Sequence, residues 1–369
     1  MTKQLLRVIA VVVLVETLLS GCSGFGGESS VCGQPAGGRE LSMFIAGDAI
    51  ITQPWSHLDE PEFLRLVAEI RGADVALANL EMLIHDFKGY AQRNSGGTYL
   101  AARPKIAKEL AWAGFDMVGH ANNHTFDYGS IGVLENLENV KKAGIVLAGS
   151  GKDLQRARAP GYFRTAKGTV ALVSTASTFT DYGRASRSRP DLHGRPGLNP
   201  LAVRWHSQFS ITSFFSITFN FASWAEVDQE DLKGNLDAIR EARAKADLVV
   251  LSIHAHRQGP WLADVAHQAI DAGADVVFGH GPHAVRGVEV YKCKPIFYSL
   301  GDFVFQYEQI ERLPWEAYAR HGLGDEAKPE DAQNAQSKFG TRYFPVRREA
   351  WEGIAAVVYF RGGEVTRVR

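Results

Sequence analysis

The chain has 369 residues, of which 45% are hydrophobic and 22% charged, with 40 basic side chains against 41 acidic ones. That balance excludes a disordered, collagen-like or coiled-coil chain, and a net charge of −1 gives no general attraction to nucleic acid. At about 150 residues per domain the length allows two domains or one large α/β domain with insertions.

Lys3 and Arg7 precede an apolar run over 8–15, followed by Leu18-Leu19-Ser20-Gly21-Cys22. A basic start, an apolar run too short to span a bilayer and small residues at its end predict a signal peptide over 1–21. Leu19-Ser20-Gly21-Cys22 resembles the bacterial lipobox. Cys22 is therefore expected to carry lipid and anchor the chain in a membrane of the bacterial cell envelope, facing the periplasm or the exterior. An ordinary cleaved signal with an incidental cysteine is the alternative. Residues 22–39, rich in Gly and Ser, read as a flexible tether. Cys32 in the tether and Cys293 between two predicted strands are then expected to be free.

Leu41-Ser42-Met43-Phe44-Ile45-Ala46 ends in Gly47-Asp48, a buried strand opening into a loop. Phe63, Leu64, Val67 and Ile70 have helical spacing over 61–71, and Gly72 stops the helix. A second strand covers 75–81. A helix over 104–113, stopped by Gly114, leads to a strand over 115–118. The alternation continues through a helix at 131–143 and strands at 144–148 and 170–175, then a helix at 231–246 and a strand at 248–253. Segments 265–272, 276–278, 288–291 and 295–298 extend it. Continuous apolar strands alternating with helices mean an α/β fold with a largely parallel, covered sheet.

Two stretches break the rhythm. Residues 182–225 form an insertion carrying Arg184, Arg187, Arg189, Arg195 and Arg204, then aromatic residues alternating with Ser, Thr and Asn over 209–221. The arginines could clamp carboxylate or phosphate, or could belong to a solvated loop. The aromatic run reads first as a sheet-edge strand, with an exposed hairpin or a lid as alternatives. Residues 308–348 are polar and weakly periodic, an irregular insertion. The segments 354–360 and 364–368 then form a closing hairpin around Gly362-Gly363. The main domain is read as 40–306, with 307–369 packing on it.

Acids, amides and histidines fall at the ends of predicted strands: Asp48, Glu81, Asn122-Asn123-His124 with Asp127, His254 with His256, and His280 with His283. Carboxyl ends of parallel strands are where α/β sheets bind ligands. Asp, Glu, Asn and imidazole together suit Mn, Fe or Zn, and the absence of thiolates argues against structural zinc.

The blocks Gly47-Asp48, Asn79-Leu80-Glu81, Asn122-Asn123-His124-Thr125-Phe126-Asp127-Tyr128-Gly129, Gly279-His280-Gly281-Pro282-His283 and Tyr298-Ser299-Leu300-Gly301-Asp302-Phe303-Val304-Phe305 resemble the CapA family. These are poly-γ-glutamate capsule synthesis proteins whose fold looks like that of calcineurin-like metallophosphoesterases. The resemblance implies a layered α/β sandwich with a strand-end site for one or two divalent metal ions. It makes Asp48, Glu81, Asn123, His254, His280 and His283 ligands, with Glu81 placed to bridge. His124 would be a general acid or electrostatic clamp that Asp127 orients. Asn122, His256 and Arg257 are candidates to touch substrate.

This sequence also departs from the family pattern. No histidine follows Asp48, His254-Ala255-His256-Arg257-Gln258 replaces the usual His-Trp-Gly-x-Glu, and Asp302 stands where Asn is usual. The expected function is a membrane-anchored, metal-dependent hydrolase of a phosphoester or polymer amide in capsule synthesis or export, acting with capsule synthesis or export proteins. A non-catalytic accessory protein that binds an anionic cell-surface polymer is the alternative.

Overall fold

The computed structural model describes residues 38–213 and 217–369. The expected signal peptide, Cys22, Cys32 and nearly all of the tether lie outside the described residues. Alternation along single strands shows which layers exist, because successive side chains leave opposite faces. In Leu41–Ile50, Met43 and Ile45 pack into one core while Phe44 and Ala46 pack into another. In Leu248–His254, Leu248 and Val250 join Met43 and Ile45, while Val249, Leu251 and Ile253 face a third core. Two sheets therefore stack face to face, each covered outside by helices.

The first sheet runs Glu364–Val368, Ala355–Arg361, Leu41–Ile50, Val75–Leu80, Met117–Gly119, Val146–Ala148. Phe63 and Ile70 of Pro61–Gly72 and Leu110 of Lys105–Ala113 cover its outer face. The second runs Val288–Tyr291, Lys294–Phe297, Val276–His280, Leu248–His254, Gly168–Ala176, Gly161–Thr165. Ile239 of Gln229–Arg243 and Leu262 and Val265 of Pro260–Ala272 cover it. Central strands are parallel in both sheets; the outer ones are antiparallel, except Val146–Ala148, which joins the first sheet parallel. The layered α/β sandwich is thus the fold, with the parallel strands divided between two sheets.

One strand edge is shared in a way that matters for the site. Residues 41–46 of Leu41–Ile50 pair antiparallel with Ala355–Arg361, whereas 48–50 pair parallel with Asp302–Phe305. Gly47 lies at the handover. A Cβ there would sit 1.9 Å from the Gly301 carbonyl oxygen, so only glycine lets the two backbones close up. The handover sets Asp302 opposite Asp48 in register.

Three expectations are corrected. The stretch 209–221 is no sheet-edge strand: Val203–Ser213 and Ile217–Val227 pair with each other as a separate two-stranded ribbon. Period-two alternation is the same for both arrangements, so the pattern could not separate them. Cys293 is disulfide-bonded and not free. The polar stretch read as irregular contains two short helices, Trp315–Ala319 and Pro329–Gln336. Among the described residues no helix is long and apolar enough to cross a membrane.

Gly47→Ala is expected to destabilise the fold by on the order of 3 kcal/mol, the range of strained core substitutions. Urea unfolding checks it, and a loss below about 0.5 kcal/mol would contradict the close-packed handover.

Candidate metal centre

Both sheets end at one place. His254 and His280 close adjacent parallel strands in register, and Asp48 is in register with Asn79 on one side and Asp302 on the other. Glu81 follows Val75–Leu80, and a turn with Gly281 at φ +107° brings His283 back. Asp48, Glu81, His254 and His280 are completely buried, and His283 is nearly so.

Asp48 Oδ1 is 3.4 Å from His280 Nδ1 and 4.0 Å from His254 Nδ1. Glu81 Oε1 is 3.8 Å from His254 Nε2 and 3.7 Å from His283 Nε2. His283 Nδ1 lies 2.7 Å from Asp302 Oδ1. Ligand atoms of Asp48, His254 and His280 fall within 4.8 Å of one another. The same holds for Glu81, His256 and His283, and for Asp48, Glu81, His283 and Asp302.

The neighbours fix these side chains. Asn79 Nδ2 donates to Asp48 Oδ1 at 2.7 Å, and the Gly281 N–H donates to Oδ2 at 2.9 Å. Ser252 Oγ meets His280 Nε2 at 2.7 Å, which leaves Nδ1 for the cluster. Both carboxylate oxygens of Glu81, Asp302 Oδ2, His254 Nε2 and Asn123 Oδ1 are buried without a hydrogen-bond partner. Each such orphan costs about 1–3 kcal/mol. These oxygen and imidazole donors fit a divalent cation, which would satisfy them together.

Beside the cluster lies a cavity of about 350 Å³, lined among others by Asn123, His124, His256 and His283. His124 Nδ1 is 2.7 Å from Asp127 Oδ2. Asp127 also accepts the N–H groups of Gly96 and Leu100, so the pair is rigid. The remaining ring nitrogen of His124 has no hydrogen bond among the described residues.

The other sequence candidates separate. His256 lines the cavity. Asn122 is buried and spent on structure: its Nδ2 donates to the Leu80 carbonyl and its Oδ1 accepts from the His124 N–H. Arg257 lies 3.5 Å over the Trp205 ring, and neither Asn122 nor Arg257 lines the cavity. Four of the five arginines of the first insertion are engaged elsewhere. Arg184 pairs with buried Asp231, Arg187 with Glu230 and Arg189 with Asp191, while Arg195 donates to the Arg184 carbonyl. Sequence reasoning missed Asp302 as a member of the cluster and left open whether His256 joins it, which the grouping of His256 with Glu81 and His283 supports. The signal for Asp302 was a Gly-Asp dipeptide at 301–302 repeating the one at 47–48.

Residues 42–307 match the bacterial capsule synthesis protein PGA_cap family. The chain belongs to that family. An uncharacterized Sinorhizobium fredii protein is 32% identical over 72% of this chain and 66% of its own length. The capsule biosynthesis protein CapA of Bacillus anthracis is 28% identical over 72% of this chain and 60% of its own. The chain thus spans somewhat less than two thirds of these curated relatives. Among solved structures, a Mycoplasma pneumoniae protein described as a novel phosphatase has a TM-score of 0.46 at 11% identity, covering 90% of this chain and 92% of that one.

In this PGA_cap-family chain the cluster has its own electrostatics. Burial, then the charges of Asp48 and Asp302, push the Glu81 carboxyl well above its ordinary 4.5. Burial, with His256 and His280 nearby, pushes His254 well below 6.5, and burial beside His283 takes His256 down to about 3. Both imidazoles are therefore neutral at neutral pH, the form that binds metal.

A carboxyl raised by folding stabilises the fold fully below its unfolded value, and that contribution is lost as pH rises through the folded value. The metal-stripped protein is therefore expected to lose stability from about pH 4.5 upward on account of Glu81. Adding Mn²⁺ should restore the melting temperature and release protons. Glu81→Gln should make the stripped protein more stable at pH 8 while lowering metal content, measured by calorimetry and elemental analysis. A stripped Glu81→Gln protein no more stable than wild type would contradict the assignment.

Proposed function

We propose that this chain is a lipid-anchored, divalent-metal-dependent hydrolase of a phosphoester or of an amide in an anionic cell-surface polymer. The observation that carries the reading is the set of orphaned buried atoms on Glu81, Asp302, His254 and Asn123 beside the His124–Asp127 pair. Asp48, His254 and His280 would hold one cation, and Glu81, His256, His283 and Asp302 a second, with Asn123 adding its amide oxygen. When bound, such ions supply Lewis-acid polarisation and a nucleophilic water. Membership of a capsule synthesis family and the CapA name of the Bacillus anthracis relative support a role in capsule or poly-γ-glutamate production.

His124 is the residue placed to act on substrate. Its Nδ1–H donates to Asp127, which leaves Nε2 to the cavity, where in the doubly protonated ring it would hand a proton to a leaving group. Asp127 is a positioning residue, fixing the tautomer and stabilising the imidazolium. Mn²⁺-dependent turnover of bis(p-nitrophenyl) phosphate or of a glutamate polymer tests the reading. His124→Ala should lower kcat by about a hundredfold with metal content unchanged. Asp127→Asn should shift the pH profile of kcat. No turnover of either substrate by Mn²⁺-loaded wild type would count against hydrolysis and favour the second reading, polymer binding without cleavage.

The anchoring reading rests on Leu19-Ser20-Gly21-Cys22 after a basic and apolar leader. Cys22→Ala should abolish membrane retention of the mature chain on fractionation. Unchanged processing and retention would overturn it.

A further inference from the structure

The cavity has two unlike sides. Its floor is lined by Asn123, His256 and His283, and these histidines share their cluster with the buried carboxylates of Asp48, Glu81 and Asp302. Among the described residues that line the cavity itself there is no carboxylate, and besides histidines the charged ones are Arg286 and Arg347. The two arginines come from different parts of the chain. Arg286 follows the turn that carries His283, and its backbone N–H donates to the Ser299 carbonyl. Arg347 lies in the stretch 306–351, between the two strands that share the edge of Leu41–Ile50.

Both guanidiniums retain capacity for a ligand. Arg286 is exposed and makes no ion pair among the described residues. Arg347 Nε is 3.1 Å from Glu349 Oε1, which leaves the terminal nitrogens of the fork available. Glu349 is half exposed and is the acid near both, so two cations face one carboxylate at the cavity mouth. The wall between mouth and floor is aromatic. Phe344 lies 5.0 Å from the His283 ring and 4.8 Å from Phe305, edge to face in each case. Such a wall excludes water along one side and strengthens charge pairing at the mouth.

We propose that Arg286 and Arg347 form an anion-binding subsite that holds a second oxyanion of the substrate, one remote from the bond over the metal cluster. The subsite rests on the hydrolase reading for its orientation and selects for substrates with repeated anionic groups. A guanidinium fork takes carboxylate or phosphate in the same geometry, so the shared chemistry is a chain of oxyanions. A substrate with a single charge would engage the metal cluster and leave the arginines to solvent. A chain with regularly spaced charges fills both ends of the cavity.

The test is equilibrium binding to the full chain in detergent, loaded with Mn²⁺, read by fluorescence anisotropy. The probes are labelled tetraglutamate, its uncharged tetraglutamine counterpart, and unlabelled tripolyphosphate as competitor. Arg286→Gln and Arg347→Gln should each weaken tetraglutamate by about tenfold or more, the loss expected for a charge-assisted hydrogen bond. Arg→Lys at either position should recover part of it, and metal content should stay at the wild-type level. Arginine-dependent competition by tripolyphosphate would assign the subsite to phosphate chains, and its absence to carboxylate chains. Equal tetraglutamate and tripolyphosphate affinity in the double Gln variant and wild type overturns the subsite. So does loss of metal in both Gln and Lys variants, which would mark a structural role. Binding does not require turnover, so failure of the hydrolase reading appears separately, in the Mn²⁺ assay above.

Discussion

Gathering three buried carboxylates into one small volume is the constraint to which the rest of this structure answers. Asp48, Glu81 and Asp302 lie together with little access to water, where like charges repel strongly and desolvation penalises each. Neutral imidazoles relieve part of that, and backbone and amide donors relieve more at Asp48. Glu81 has neither. A fold that keeps such a residue unpartnered would gain stability from a bound cation, which would couple metal binding to folding.

The two-sheet architecture makes this crowding possible. Parallel strands send their carboxyl ends to one side, and stacking two such sheets brings two rows of ends to a common seam. The first sheet supplies Asp48, Asp302 and, just beyond a strand end, Glu81; the second supplies His254 and His280. A single sheet would spread these groups along one line about 4.8 Å per strand apart. Facing sheets fold that line back on itself. The apolar filling of Met43, Ile45, Leu248 and Val250 between them is therefore what fixes the distances among the ligands.

Much of this was written locally in the sequence. Apolar runs ending in Asp48, Glu81, His254 and His280 marked strands and their functional ends, because burial and strand period are short-range properties. Residues adjacent in sequence, such as His280 and His283 around Gly281-Pro282, were legible as a unit. Asp302 was visible as a departure from a pattern, yet its place in the cluster depends on the edge handover at Gly47, which has no sequence period. Arg286 and Arg347 were not legible at all. Nothing near either residue signals a cavity, and the more conspicuous Arg184, Arg187 and Arg189 are paired with Asp231 and Glu230 of Gln229–Arg243 and with Asp191. The ribbon at 203–227 was legible only as an alternative, since alternation reports that a strand has two faces and not what covers them.

The shared edge of Leu41–Ile50 carries one more consequence. The stretch 306–351 leaves from Asp302–Phe305 and returns into Ala355–Arg361, and both of those strands are clamped to the same neighbour. Its two ends are thus held close together by hydrogen bonds that do not depend on what lies between them. Loop closure penalises added length only weakly, so changes in the length of this segment cost little at its anchors, whereas Phe344 within it packs directly on His283. The chain thereby separates the buried ligand cluster from one continuous stretch of cavity wall. That wall is thus a single segment hung from two fixed points, and its content is set by the sequence between them and not by the strands that hold it.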